Sequence, residues 1–152
     1  MVAIIGGEPQ LFRRLVDLYR EAGADAGHDP ETLQVGVHAL GYVAETDDQA
    51  AADFFPGYAR AFTEIGRERG WPPVTRRQFD LLRGPTGALI VGDPDSAARK
   101  VQAFSKSLGG ISRLSFQMSV AGLPHEKMLR SIELIGSRVA PMVRGDQPVG
   151  ST

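Results

Sequence analysis

The residues of this sequence best suited to chemistry are polar side chains on two alternating stretches and on the turns beside them. From Ile111 the chain reads Ile-Ser-Arg-Leu-Ser-Phe-Gln-Met-Ser-Val. Leu114, Phe116, Met118 and Val120 fall on one side of a period of two, and Arg113, Ser115, Gln117 and Ser119 on the other, which is the pattern of a strand. Leu33 to Val43 alternates in the same way, with Leu33, Val35, Val37 and Ala39 on one face and Gln34, Gly36 and His38 on the other. A small polar face beside an apolar one suits a strand that backs onto helices and looks into a polar cavity. Gln117 and His38 then either approach a ligand or hydrogen-bond to each other or to water.

The remaining candidates lie at turns. Gly6-Gly7 stands between a short apolar run and a helix, so it either lets backbone N–H groups approach a phosphate or ring, or is simply a turn. His125 opens the last helix, where it either touches ligand or faces solvent. Asp93 precedes Pro94 at a helix start and reads as an N-cap rather than a catalytic acid. Arg76, Arg77 and Arg83 either bind an anion or form a solvated face. No carboxylate pair, Ser/His/Asp order or metal-ligand spacing stands out.

These residues need elements to position them. Val2 to Ile5 reads as the end of a buried strand. Pro9 opens a helix whose stripe is Leu11, Phe12, Leu15, Val16, Leu18 and Tyr19, with Gly23 as its stop. The strand 33–43 leads to Thr46 and Gln49, a capping box. The long helix that follows carries Ala50, Ala51, Phe54, Phe55, Tyr58, Ala61, Phe62 and Ile65, with a kink or break expected at Pro56. Gly70-Trp71-Pro72-Pro73 ends it, and 74–86 reads as an irregular excursion with at most one helical turn. Ala88 to Val91 is a short apolar run. Beyond it a helix carries Ala97, Val101, Phe104 and Leu108. The strand around Gln117 follows, and then a helix with Met128, Leu129, Ile132, Ile135 and Val139, stopped at Pro141. Strands alternating with helices imply an α/β fold with parallel strands.

The chain has 152 residues, with 42% hydrophobic and 23% charged residues and a formal net charge of -1. Those are the proportions of one globular domain with a real core. The charge gives no reason to expect nucleic acid or an anionic membrane as partner. The absence of cysteine excludes disulfides and thiolate chemistry. No apolar run approaches a membrane span and no basic leader is visible, so a cytoplasmic location is expected.

Gly92-Asp93-Pro94-Asp95-Ser96-Ala97, the strand with Phe116-Gln117-Met118, Gly122-Leu123-Pro124-His125-Glu126, Leu129-Arg130-Ser131-Ile132-Glu133 and Val139-Ala140-Pro141 together resemble the C-terminal end of the bacterial luciferase-like monooxygenases. Val43-Ala44-Glu45-Thr46-Asp47 is similar to the exit of that family's seventh barrel strand. The resemblance runs from Ala3 to about Arg144. It implies a partial (β/α)₈ barrel, about the last three strand–helix units, since a full barrel takes about 250 residues. Residues 1–144 are the expected barrel portion and 145–152 a disordered tail. The resemblance further implies reduced FMN or a deazaflavin as cofactor and a small organic substrate, with Gly6, Gly7, His38, Gln117 and His125 as the cofactor-facing residues. The strands that supply much of the family's site have no counterpart here. A homo-oligomer, or pairing with a missing N-terminal half, is therefore expected. The alternative is a non-catalytic remnant or subunit that associates through open strand edges.

Overall fold

The computed structural model describes residues 1–4 and 7–145. Ile5, Gly6 and the expected tail from Asp146 lie outside the described residues. The strands are β1 (Val2–Ile4), β2 (Gly36–Val43), β3 (Ile90–Gly92) and β4 (Arg113–Gln117). The helices are α1 (Arg13–Asp25), α2 (Asp47–Glu68), α3 (Arg76–Arg83), α4 (Pro94–Ser107), α5 (His125–Leu134) and α6 (Ala140–Arg144).

β2 organises the sheet. Its first residues, Gly36 to His38, pair with Val2 to Ile4 of β1 and also with Arg113 to Ser115 of β4. A strand has two edges, so β1 and β4 flank β2 on opposite sides. Beyond them, Gly41 to Val43 pair with β3. Every pairing is parallel, as strands joined by helical crossovers must be. The order β1-β2-β4 is thus three successive strands, with β3 added at the exit of β2.

Alternation decides which face is covered. Ala3, Val37 and Ala39 are buried in one core with Leu114 and Phe116, against Val16 of α1, Val101 and Phe104 of α4 and Leu134 of α5. Gly36, His38 and Leu40, with Ser115 and Gln117 of β4, take the other face. The alternation on β4 stops at Gln117: Ser119–Ala121 is a 3-10 turn. Met118 and Val120, expected beside Phe116, pack instead into a second core. That core gathers Leu40 and Tyr42 of β2 with Phe54 and Tyr58 of α2, Phe79 of α3, Leu123 and Ala121. Helices α2 and α3 therefore close over the exit end of the face that carries His38.

Several expectations change. Of the apolar stripe only Val16 of α1 is fully buried, while Leu11, in the 3-10 turn Pro9–Phe12 that precedes α1, and Leu15 and Leu18 are 71%, 53% and 51% exposed. Arg20 explains the rotation: its guanidinium donates to the carbonyls of Leu108 and Gly110 at 3.1 and 2.8 Å, fixing one flank against the end of α4. The leucines take the opposite flank and stay exposed. Gly23 does not stop α1. It lies inside the helix, where a Cβ would sit 2.6 Å from the Leu33 methyls, and the positive φ of 78° falls on Gly27. Pro56 does not break α2, which runs unbroken for 22 residues. Pro56 and Ala52 are both exposed, so water can serve the carbonyl that the proline cannot.

The excursion 74–86 holds a full helix, α3, with a reciprocal capping box between Thr75 and Gln78. At Thr46 only half of the expected box is seen, Thr46 Oγ accepting from Gln49 N–H at 3.2 Å. Pro141 does not end the last helix either. The segment Ile135–Val139 is π-helical and α6 continues through Pro141. The wider turn accommodates a ring that would otherwise strike the carbonyl four residues back.

Asp93 behaves as expected. Its Oδ1 accepts from the Ser96 N–H at 2.7 Å, with Pro94 in the first turn. Asp93→Ala should lower stability by about 1 kcal/mol, the usual cost of a lost cap. Urea denaturation measures it, and an unchanged midpoint would show that the cap contributes nothing.

Candidate functional site

Short of the exit end that α2 and α3 close over, the second face of the β1-β2-β4 sheet is open and carries the polar groups that the strands bring together. His38 stands beside Ser115 in register, and Leu40 beside Gln117. The imidazole and the amide meet diagonally, with His38 Nε2 and Gln117 Oε1 2.9 Å apart. A carbonyl oxygen only accepts, so His38 donates from Nε2, and the tautomer that does so carries its lone pair on Nδ1. The Gln117 amide NH₂ has no protein partner among the described residues. The pair therefore offers one acceptor and two donors to anything lying on this face. It offers no nucleophile.

The other sequence candidates do not join them. Gly7 is half-buried at the bend after β1, and a Cβ there would make only an ordinary 3.7 Å contact with Leu11. Its surroundings do not demand a glycine. His125 is exposed at the first residue of α5, with no hydrogen bond to His38 or Gln117 among the described residues. Arg76 and Arg83 share the Asp80 carboxylate, which they hold below the usual carboxylate range by hydrogen bonds and charge. Arg76 also stacks over Phe55 and Phe79.

Other polar groups tie the exits of the strands. Ser131 is fully buried in the apolar face of α5, and its Oγ accepts from the Val43 N–H at 2.9 Å where β2 leaves the ladder. The signal was a serine one turn from Met128 and from Leu134, on the inner side of the helix. Tyr42 donates to Asp53 at 3.1 Å, and Lys127 pairs with the other oxygen of Asp53, so β2, α2 and α5 meet at one carboxylate. Burial first, then the charge and hydrogen bond of Asp53, push the Tyr42 phenol up to about 12. At neutral pH it stays protonated and serves as a donor. On α5, Arg130 reaches Glu45 on the opposite flank from Leu129 and Ile132, which are 50% and 54% exposed rather than buried.

Parallel strands each leading to a helix, with one face of the β1-β2-β4 sheet packed under α1, α4 and α5, define a segment of a (β/α) barrel. Residues 1–110 match the family described as luciferase-like monooxygenase, and the chain belongs to that family. It is 28% identical over 161 residues to 3,6-diketocamphane 1,6-monooxygenase of Pseudomonas putida, covering 93% of this chain and 40% of that protein. The fold superposes on the solved oxygenating constituent of 3,6-diketocamphane monooxygenase from the same organism, in complex with FMN, with a TM-score of 0.70, 22% identity, and coverage of 93% of this chain and 42% of that one. It also superposes on the coenzyme F420-dependent tetrahydromethanopterin reductase of Methanopyrus kandleri, with a TM-score of 0.57, 17% identity, and coverage of 92% and 44%. These likenesses show the fold, which is part of a (β/α)₈ barrel. The chain spans about 40% of the length of the curated relative it matches.

Proposed function

We propose that the chain supplies the closing three strand–helix units of a flavin-dependent barrel, and that His38 and Gln117 face the flavin or its substrate. The observation that carries this is the His38–Gln117 pair on the open part of the second sheet face. Its lone pair and two free N–H donors suit the polar edge of a planar heteroaromatic ring. The ring therefore fits. A phosphate is another matter, because the cation that shares the face, Arg113, stands four residues before Gln117, about 13 Å down the strand. Gly7, at the bend after β1, with Gly6 before it in sequence, is the group proposed nearer the phosphate, and His125 the one at the rim. When bound, a flavin (FMN or a deazaflavin) would supply the redox chemistry. The residues of this chain would orient the ring and hold a small organic substrate against it, as the diketocamphane enzyme's name implies for that relative.

Three strands make only part of a wall, and affinity for a flavin depends on a pocket that excludes water. The outer edges of β1 and β4 carry no ladder partner among the described residues. Leu11, Leu15 and Leu18, and Leu129 and Ile132 of α5, are large apolar side chains left exposed on the surface. Wet parallel edges and exposed apolar side chains favour association, with a second copy or with a separate N-terminal half. Alone, the chain should therefore sediment as a dimer or larger species and give no saturable change in FMN fluorescence at micromolar concentrations. A monomer that binds FMN at micromolar levels would overturn the proposal.

A further inference from the structure

Between α4, the segment that leaves α3 and β3 lies a cavity of about 560 Å³, within the range of small-molecule sites. Neither His38 nor Gln117 lines it. It is a different place from the proposed flavin face, and its test stands or falls separately. Lys100, only 7% exposed, lines this cavity. Its Nζ donates to the carbonyls of Leu82, at 3.1 Å, and Gly84. A tetrahedral nitrogen with two N–H bonds so committed has one position left, and no described protein group takes it.

The charges around the cavity are unequal. Both Asp47 oxygens are engaged, Oδ1 by the Asp93 N–H and Oδ2 by the Ser96 hydroxyl. Asp80 is shared by Arg76 and Arg83. Arg99 donates to the Ser96 hydroxyl at 3.1 Å and meets no carboxylate among the described residues. Burial, and then the neighbouring Arg83 charge, push the Lys100 ammonium down to about 7. Much of it is therefore free amine at neutral pH, with its lone pair in the vacant position.

We propose that this cavity captures small aldehydes bearing an anionic group, by reversible imine formation at Lys100 with the anion on Arg99. The amine lone pair attacks the carbonyl carbon and a C–N bond forms. The carbonyl oxygen then leaves as water with both amine protons, giving the C=N bond, and nothing is oxidised or reduced. Small aldehydes fit because the nucleophile is enclosed. The anionic group is specified by Arg99, the cavity-lining guanidinium that meets no carboxylate among the described residues.

The chain has three lysines, Lys100, Lys106 and Lys127, so it contains its own controls. The whole chain is treated with pyridoxal 5′-phosphate at pH 7.5, trapped with borohydride and mapped by mass spectrometry. Lys100 should be labelled about tenfold or more faster than exposed Lys106, with a pH midpoint near 7, as its depressed basicity requires. Arg99→Ala should slow labelling by the phosphorylated aldehyde several-fold and leave pyridoxal itself unaffected. Ala103→Phe, on an exposed position lining the cavity, should slow both aldehydes without unfolding the chain. Equal labelling of Lys100 and Lys106, labelling of Lys100 only in denaturant, or indifference to Arg99→Ala and Ala103→Phe would each overturn the assignment.

Discussion

Gly57→Ala should destabilise the protein by about 3 kcal/mol, at the upper end of overpacking costs. Gly57 lies inside α2, where alanine is ordinarily the better residue by roughly 1 kcal/mol. The steric effect has to exceed that gain, and the geometry says that it does. A Cβ at position 57 would stand 1.7 Å from the Ala121 carbonyl oxygen and 2.4 Å from its carbon. Both obstacles are backbone, so no rotamer change relieves them. The helix must back away from the 3-10 turn Ser119–Ala121, and with it from the exit of β4 that carries Gln117. Gly136 is the control, since a Cβ there meets nothing within 4 Å. Gly136→Ala should be neutral or stabilising by up to about 1 kcal/mol. Urea denaturation of the two variants checks both, and equal effects would show that α2 does not sit on this turn.

The contrast between these glycines marks what a sequence can and cannot reveal. The alternation of β2 and β4 was legible because its period is local and each strand has one covered face. The cap at Asp93 was legible because a cap needs only its own next three residues. The His38–Gln117 contact was one of two readings of the polar face, and the register of β2 against β4 produces it. The face of α1 was not legible. Leu11, Leu15 and Leu18 form a stripe adjacent to Phe12, Val16 and Tyr19, and periodicity alone cannot choose between them. The choice is made by Arg20 and the carbonyls of Leu108 and Gly110, some ninety residues away. Ser131 and Lys100 were missed for a related reason. Each is a polar residue on an otherwise apolar helix face, and its partner comes from a distant turn or strand. Pro141 misled because proline usually ends a helix, whereas a π turn just before it lets this one continue.

Phe79→Ala should cost about 3–5 kcal/mol, the range for emptying a buried phenylalanine site. Its ring is fully buried, with centroids 5.2 Å from Phe55, 5.5 Å from Tyr58 and 6.5 Å from Phe54. Arg76 lies over it at 5.7 Å. Helix α3 has eight residues, too few to persist on helical propensity alone, so it depends on docking. Its capping box at Thr75 and Gln78 shapes the start, and Phe79, in the next position, is its one fully buried residue. Removing the ring leaves a void that Phe54 and Tyr58 cannot fill while they remain stacked on their other neighbours. The loss also has a ceiling. If α3 simply detaches, the cost stops at the free energy of undocking it, and the slope of the urea transition falls because less surface remains to be exposed. An unchanged slope with a loss of about 3 kcal/mol or more would mean that α2, α3 and the exit of β2 unfold as one unit. The expected result is that unit, since Phe79 belongs to the same core as Tyr42 and Leu40. A loss below about 1 kcal/mol would place the anchor of α3 elsewhere.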